Sequence, residues 1–184
     1  IKISERTHII LPYHKVMDVL MEEKRGTMDI GTTKKGIGPC YMDKAERIGI
    51  RALEFIREDL FADRLKQELE KKNEVITKIY NAEALDYDEM FNEYKEYAKK
   101  IAKYVDNTEK IINTALKANK NVLFEGAQGS MLDLDFGTYP YVTSSHPTVG
   151  GFVVGSGVGF GAINEVIGIT KAYTTRVGKG PFVT

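Results

Sequence analysis

Apolar and polar residues change rhythm along the 184 positions of this chain. Between Gly49 and Gly126 there is neither a glycine nor a proline, and Tyr87, Met90, Phe91, Tyr94, Ala98, Ile101 and Val105 recur at three- and four-residue steps. That is the helical period, and it lays one apolar stripe along one face. The pattern predicts helices over about 60–79, 86–104 and 107–118, with boundaries good to about ±2–4 residues. Asp86 with Glu89, and Asp106 with Glu109, have the spacing of capping boxes, with Asp in place of Ser or Thr. The Lys- and Glu-rich run from Lys66 to Glu74 reads as a solvated helix face. A further helix, near Tyr13 to Arg25, is closed by Gly26.

Elsewhere the apolar runs are short. Val122 to Phe124 and Val166 to Tyr173 look like buried strands, since parallel strands covered on both faces read as short continuous apolar runs. Strands are therefore expected at about 122–125 and 166–172. The fold class that follows is α/β, a mainly parallel sheet with a helical block, about 55–119, packed outside it. The length suits one domain with a real core.

The ends of these segments carry the chemistry. After Phe124 the chain reads EGAQGSMLDLDFGTYPYVTSS. Gly126 and Gly129 permit a tight turn and a close approach to a ligand. Gln128 between them offers an amide donor and an acceptor, suited to a carbonyl or ring nitrogen. Thr143, Ser144 and Ser145 place three hydroxyls beside a turn containing Pro140, and neutral donors of this kind suit phosphate oxygens. A local alternative stands beside this one: Gln128 capping a turn, and the hydroxyls satisfying nearby backbone groups.

Two other loops are similar. GTTKKGIGP, from Gly31 to Pro39, combines hydroxyls, lysines and glycines as an anion cradle would, although it lacks the GxxxxGK[ST] spacing of a Walker loop. Lys44, Arg47 and Arg51 follow at steps that share one helical face, either as exposed charges or as a phosphate-binding set. Near the end, TTRVGKG again joins hydroxyls, a cation and glycines. Gly157, Gly159 and Ala162 fit the looser dinucleotide pattern GxGxxA, but the required acidic residue about 20 positions on is missing, and Lys179 stands in that region. A mobile or close-packed loop accounts for those glycines equally well.

Composition narrows the classes. With 26 basic and 26 acidic residues the chain has no net charge, which gives no general attraction to nucleic acid. The single cysteine, Cys40, excludes an intrachain disulfide and argues for a reducing compartment. No stretch has the length and apolarity of a membrane span, so the chain reads as cytoplasmic. His8, His14 and His146 are scattered, no metal-binding spacing appears, and His14 reads as structural. No nucleophile elbow occurs. The chain opens on IKISERTH without a methionine and ends at GPFVT, which reads as an internal piece of a longer polypeptide.

Taken together, GTTKKGIGP with YMDKAER, FEGAQGSMLDLDFGTYPYVTSS and KAYTTRVGKGPF closely resemble the adenylosuccinate synthetases, in the family's order and with compatible separations. SERTH and YHKVMD extend the resemblance over nearly the whole chain, as the central portion of a single synthetase domain. The resemblance implies a purine-pathway ligase of a homodimeric family, which joins IMP and L-aspartate at the expense of GTP through 6-phosphoryl-IMP. Thr33 and Thr143 match threonines on the IMP 5′-phosphate, and Arg47 matches an arginine reaching the neighbouring subunit's phosphate. Gln128 matches the glutamine at the purine, where it would stabilise charge on O6. Val177 and Gly178 match the stretch along the ribose.

GTP and Mg2+ are implied as well, with their main ligands expected outside this chain. The family's nucleotide loop, aspartate base and catalytic histidine are expected before it, and the aspartate-binding and guanine-recognition segments after it. His146 stands where many relatives are expected to have asparagine. Alone, the 184 residues are expected to be inactive, and a second reading makes them a non-catalytic IMP-binding or dimerisation unit.

Overall fold

The computed structural model describes residues 1–28, 30–176 and 178–182. Val177, one of the residues matched to the ribose stretch, lies outside them. The chain forms two compact units, one of Ile1–Gly26 and Thr33–Asn107, the other of Thr27–Thr32 and Thr108–Thr184.

In the first unit, strand β1 (Ile3–Ser4) pairs in parallel with β2 (Val105–Asp106), Ile3 opposite Val105 and Ser4 opposite Asp106. Helices α1 (Pro12–Arg25), α2 (Ile37–Glu46), α3 (Ala52–Phe55), α4 (Glu58–Tyr80) and α5 (Tyr87–Ile101) lie between them in sequence. Their apolar stripes meet in one core of Leu11, Tyr13, Ile50, Phe55, Phe61, Leu65, Leu69, Met90 and Ala98. Phe61 meets Phe55 edge-on at 4.8 Å between ring centroids and stacks on Phe91 at 5.8 Å.

The α4–α5 turn is closed by Asn73, whose side chain donates to the Leu85 carbonyl at 2.8 Å and accepts the Leu85 N–H at 2.9 Å. Asp86 caps α5 by accepting the Glu89 N–H at 2.7 Å. Asp106 belongs to β2, and its carboxylate takes Lys2 at 2.6 Å and the Asn107 N–H at 2.8 Å.

Within this core lies a buried polar knot. The Leu11 N–H donates to Nδ1 of His14 at 2.9 Å, which leaves the ring proton on Nε2, where it faces Asp43 Oδ2 at 3.0 Å. Asp43 also accepts from Lys72 on α4, so one carboxylate ties α1, α2 and α4 together. Burial alone would raise the Asp43 pKa, but the His14 and Lys72 donors outweigh it and hold the carboxyl below its ordinary value.

The second unit contains α6 (Thr108–Lys117), α7 (Val149–Ser156) and short 3-10 turns at Ser130–Leu132 and Phe160–Ala162. Gly157 ends α7 at φ 69°, and a Cβ there would come within 2.8 Å of Glu109 Cγ on α6. This glycine therefore serves a close-packed helix end. Neither expected strand forms a ladder. Residues 122–125 and 166–172 are extended or irregular, Leu123 is 84% exposed, and Ile169 is 97% exposed. A strand exists only when neighbours pair its backbone, and among the described residues the one sheet is the β1–β2 pair. The apolar run was legible in the sequence, but its neighbours were not. The arrangement is consistent with α/β, with most of its regular structure helical. Among the described residues no helix is long and apolar enough to cross a membrane.

Two measurements test this core. Phe61→Ala should cost about 3–5 kcal/mol in denaturant unfolding, and a loss below about 1 kcal/mol would contradict its central place. Because the Asp43 carboxyl sits below its ordinary 3.8, its stabilisation is present above that pH and lost as pH falls through the lower folded value. Asp43→Asn should flatten that part of the acid-unfolding profile, read as the difference from the unsubstituted protein.

Candidate functional site

In the first unit the candidate residues sit at the two ends of α2. Thr33, Lys34 and Lys35 are exposed, whereas Gly36, the N-cap, is buried with φ 79°. Asp18 on α1 accepts the Gly36 N–H at 2.9 Å. A Cβ on Gly36 would come within 2.9 Å of the His14 backbone, so the loop rests directly on α1. At the other end Arg47 is the C-cap in the left-handed region, φ 70°, a conformation a non-glycine residue rarely holds.

Lys44, Arg47 and Arg51 do not share one helix face. The left-handed turn at Arg47 ends α2 at Glu46, and Arg51 lies beyond it, bridged to His8. All three nevertheless line one pocket of about 420 Å³, together with Arg6, His8 and Glu54. The loss of helical register is thus made good by the turn. Burial, and then the charges of Lys44 and Arg51, push the His8 pKa down. The local electrostatics favour anions over cations.

In the second unit Gln128 is itself in the left-handed region, φ 64°, and exposed. Its side-chain amide has no hydrogen bond among the described residues, so it does not cap the turn. Gly126 is needed for space, since a Cβ there would press on the Phe152 ring at 2.7 Å, whereas Gly129 faces open space. The turn after Gln128 is set by the Leu132 N–H on the Gly129 carbonyl at 2.9 Å. The Leu132 carbonyl in turn accepts the Thr143 N–H at 2.8 Å, and the Ser145 carbonyl accepts the Leu134 N–H at 3.1 Å. Backbone bonds therefore tie the Gln128 turn to the hydroxyl row. The hydroxyls of Thr143, Ser144 and Ser145 make no hydrogen bond among the described residues, unlike those of Thr138, Thr148 and Ser156.

Two residues not singled out by sequence hold this loop. Asp133 is fully buried and accepts the Asp135 and Phe136 N–H groups at 3.0 and 3.2 Å, with His146 Nδ1 at 3.2 Å. Burial acts to raise its pKa, but these donors prevail and the net displacement is downward. His146 thus pairs with the carboxylate that shapes the loop. Arg176 donates to the Lys179 and Tyr141 carbonyls at 2.9 and 3.0 Å, which links the turn containing Gly178 to the turn before Thr143. Gly178 has φ 88°, and a Cβ there would lie 3.2 Å from the Gly31 carbonyl. Only the LDLD acids and the TTR cation hinted at these two roles in the sequence.

Among the described residues no group of three or more His, Cys, Asp or Glu side chains could hold a metal ion. The donors present are hydroxyls, amides and cations, which suit a phosphorylated organic ligand better than a metal shell.

Comparison with known proteins agrees in extent as well as in kind. The family model described as adenylosuccinate synthetase matches residues 1–184. Adenylosuccinate synthetases of Clostridioides difficile (strain 630) and Alkaliphilus metalliredigens (strain QYMF) are 60% and 59% identical over this whole chain. The chain spans 43% of the length of each of these relatives. A solved structure of fully ligated adenylosuccinate synthetase from Plasmodium falciparum superposes with a TM-score of 0.91 at 40% identity, covering 98% of this chain and 42% of that one. With every residue inside the family match, and the fold shared at that level, this chain belongs to the adenylosuccinate synthetase family.

Proposed function

We propose that this chain supplies much of the IMP site of a GTP-dependent ligase that joins IMP and L-aspartate. In that reaction the γ-phosphoryl group of GTP passes to O6 of IMP, giving GDP and 6-phosphoryl-IMP. The aspartate amine then bonds to C6 as the C6–O6 bond breaks, releasing phosphate and adenylosuccinate. Phosphorylation turns a poor leaving oxygen into a good one. The observation that carries the reading is the row of hydroxyls at Thr143, Ser144 and Ser145, without partners among the described residues and tied by backbone bonds to the turn after the Gln128 amide, which likewise has none among them.

In this reading Thr33 and Thr143 donate to the 5′-phosphate, and Gly178 lies along the ribose. Gln128 faces the base, where its N–H group stabilises charge on O6 as that oxygen becomes nucleophilic. Arg47 reaches the phosphate bound by the neighbouring subunit of a homodimer. Support for a cationic role comes from its pocket, which also holds Lys44 and Arg51. The described donors do not fit a magnesium shell. From the family resemblance, the ligands of GTP and Mg2+ are assigned to the part of the relatives that this chain does not span.

The second reading, a non-catalytic IMP-binding or dimerisation unit, draws on the apolar groups of Leu123, Val166, Ile167 and Ile169, which are exposed to an extent that contacts usually cover. Two experiments separate the readings. A polypeptide of the relatives' full length containing this chain should form adenylosuccinate from IMP, aspartate and GTP, and absence of turnover in a folded protein would sink the first reading. Titration of the 184-residue chain with IMP should release heat without turnover if the second holds, and no heat would leave it only a structural part. In the full-length polypeptide, Arg47→Leu should weaken IMP binding by about 1.5–3 kcal/mol, roughly ten- to a hundredfold. Unchanged affinity would remove Arg47 from the phosphate site.

A further inference from the structure

We propose that Asp18, with His14 one turn before it on α1, is a positioning residue for the IMP phosphate, acting through the Thr33 loop. This rests on the reading that Thr33 contacts that phosphate. The loop's exposed residues, Thr33 to Lys35, end on one buried anchor, Gly36, and the Gly36 N–H is fixed by the Asp18 carboxylate at 2.9 Å. Asp18 is itself only 6% exposed, so its bond is shielded from competing water. The left-handed φ of 79° at Gly36, and its seat against the His14 backbone, leave the loop few alternative paths.

His14 fixes the far end of α2. Its Nε2 faces Asp43 Oδ2 at 3.0 Å, and the Asp43 carbonyl accepts the Ile48 and Gly49 N–H groups at 3.0 and 3.1 Å. Those bonds close the turn that holds Arg47 in its left-handed conformation. Two α1 side chains thus hold α2 at both ends, with the exposed Thr33 to Lys35 segment leading into one end and Arg47 capping the other. A threonine hydroxyl contributes more to phosphate binding when its position is set before the ligand arrives, because ordering the loop afterwards consumes binding energy. Asp18 touches no ligand in this scheme. Its contribution is the prior placement of Thr33.

The test uses the full-length polypeptide and compares Asp18→Ala, which removes the acceptor, with Asp18→Asn, which keeps an oxygen for the Gly36 N–H. Asp18→Ala should raise the IMP Kd and KM about tenfold, the loss expected for a hydrogen bond to a charged group. The kcat at saturating IMP and the KM for GTP should stay within about twofold, and Asp18→Asn should restore most of the IMP affinity. A general loss of structure would instead move all of these parameters together. If Asp18→Ala does not fold, Asp18→Glu decides, since it keeps the charge and shifts the acceptor by one methylene. Weakened IMP binding there supports the role, and unchanged affinity overturns it. If the unsubstituted protein binds IMP and Asp18→Ala binds it equally well, the positioning role alone is wrong. If the unsubstituted protein does not bind IMP, the underlying reading fails and the proposal falls with it.

Discussion

The first unit depends on one buried carboxylate. Removing Asp43 from water is costly, and it is tolerated because the His14 ring and the Lys72 ammonium both donate to it. Replacing such a set by apolar groups is often neutral or stabilising, so its value lies less in net stability than in specificity. These donors and acceptors tie the three helices in one mutual register. That register fixes where α2 begins and ends, and hence where the Thr33 loop and the Arg47 turn emerge.

The second unit solves a different problem with the same currency of hydrogen bonds. Its loop from Gln128 to Thr148 has little regular structure, and Asp133 replaces a helix or sheet as its organiser by gathering two backbone N–H groups and the His146 ring. Backbone bonds run through the loop from Leu132 to Thr143, and the side chains of Gln128, Thr143, Ser144 and Ser145 keep unused donors among the described residues. Groups held in place but unsatisfied are what a polar ligand requires.

Much of the helical framework was legible because helices are made of local contacts. The stripe from Tyr87 to Ile101 and the Asp86 cap became α5, and the glycine-free stretch became α4 to α6. Strands were not legible in the same way, since their bonds join residues far apart in sequence. Val122 to Phe124 carries the composition of a strand without the neighbours that would make it one, whereas Ile3 and Ser4, which no pattern singled out, found Val105 and Asp106. The candidate residues were read from donor chemistry and resemblance, while their supports Asp18, Asp43 and Asp133 escaped notice, and Arg176 was read only as a cation beside hydroxyls. A carboxylate looks the same in sequence whether it is solvated or buried as a hub.

Sequence by itself determined the helical periods, the family and the identity of the donors offered to a ligand, because these depend on residue type and short-range spacing. Tertiary structure alone decided which of those donors remain free. It left the exposed Gln128 amide and the half-buried Thr143 to Ser145 hydroxyls without a partner among the described residues, and it ended α2 at Glu46 with Arg47 as its cap, so that Lys44, Arg47 and Arg51 meet in a pocket rather than along a helix face. The physical reason is that hydrogen-bond satisfaction is settled between distant segments, and a residue's chemistry becomes available only when nothing in the fold has already used it.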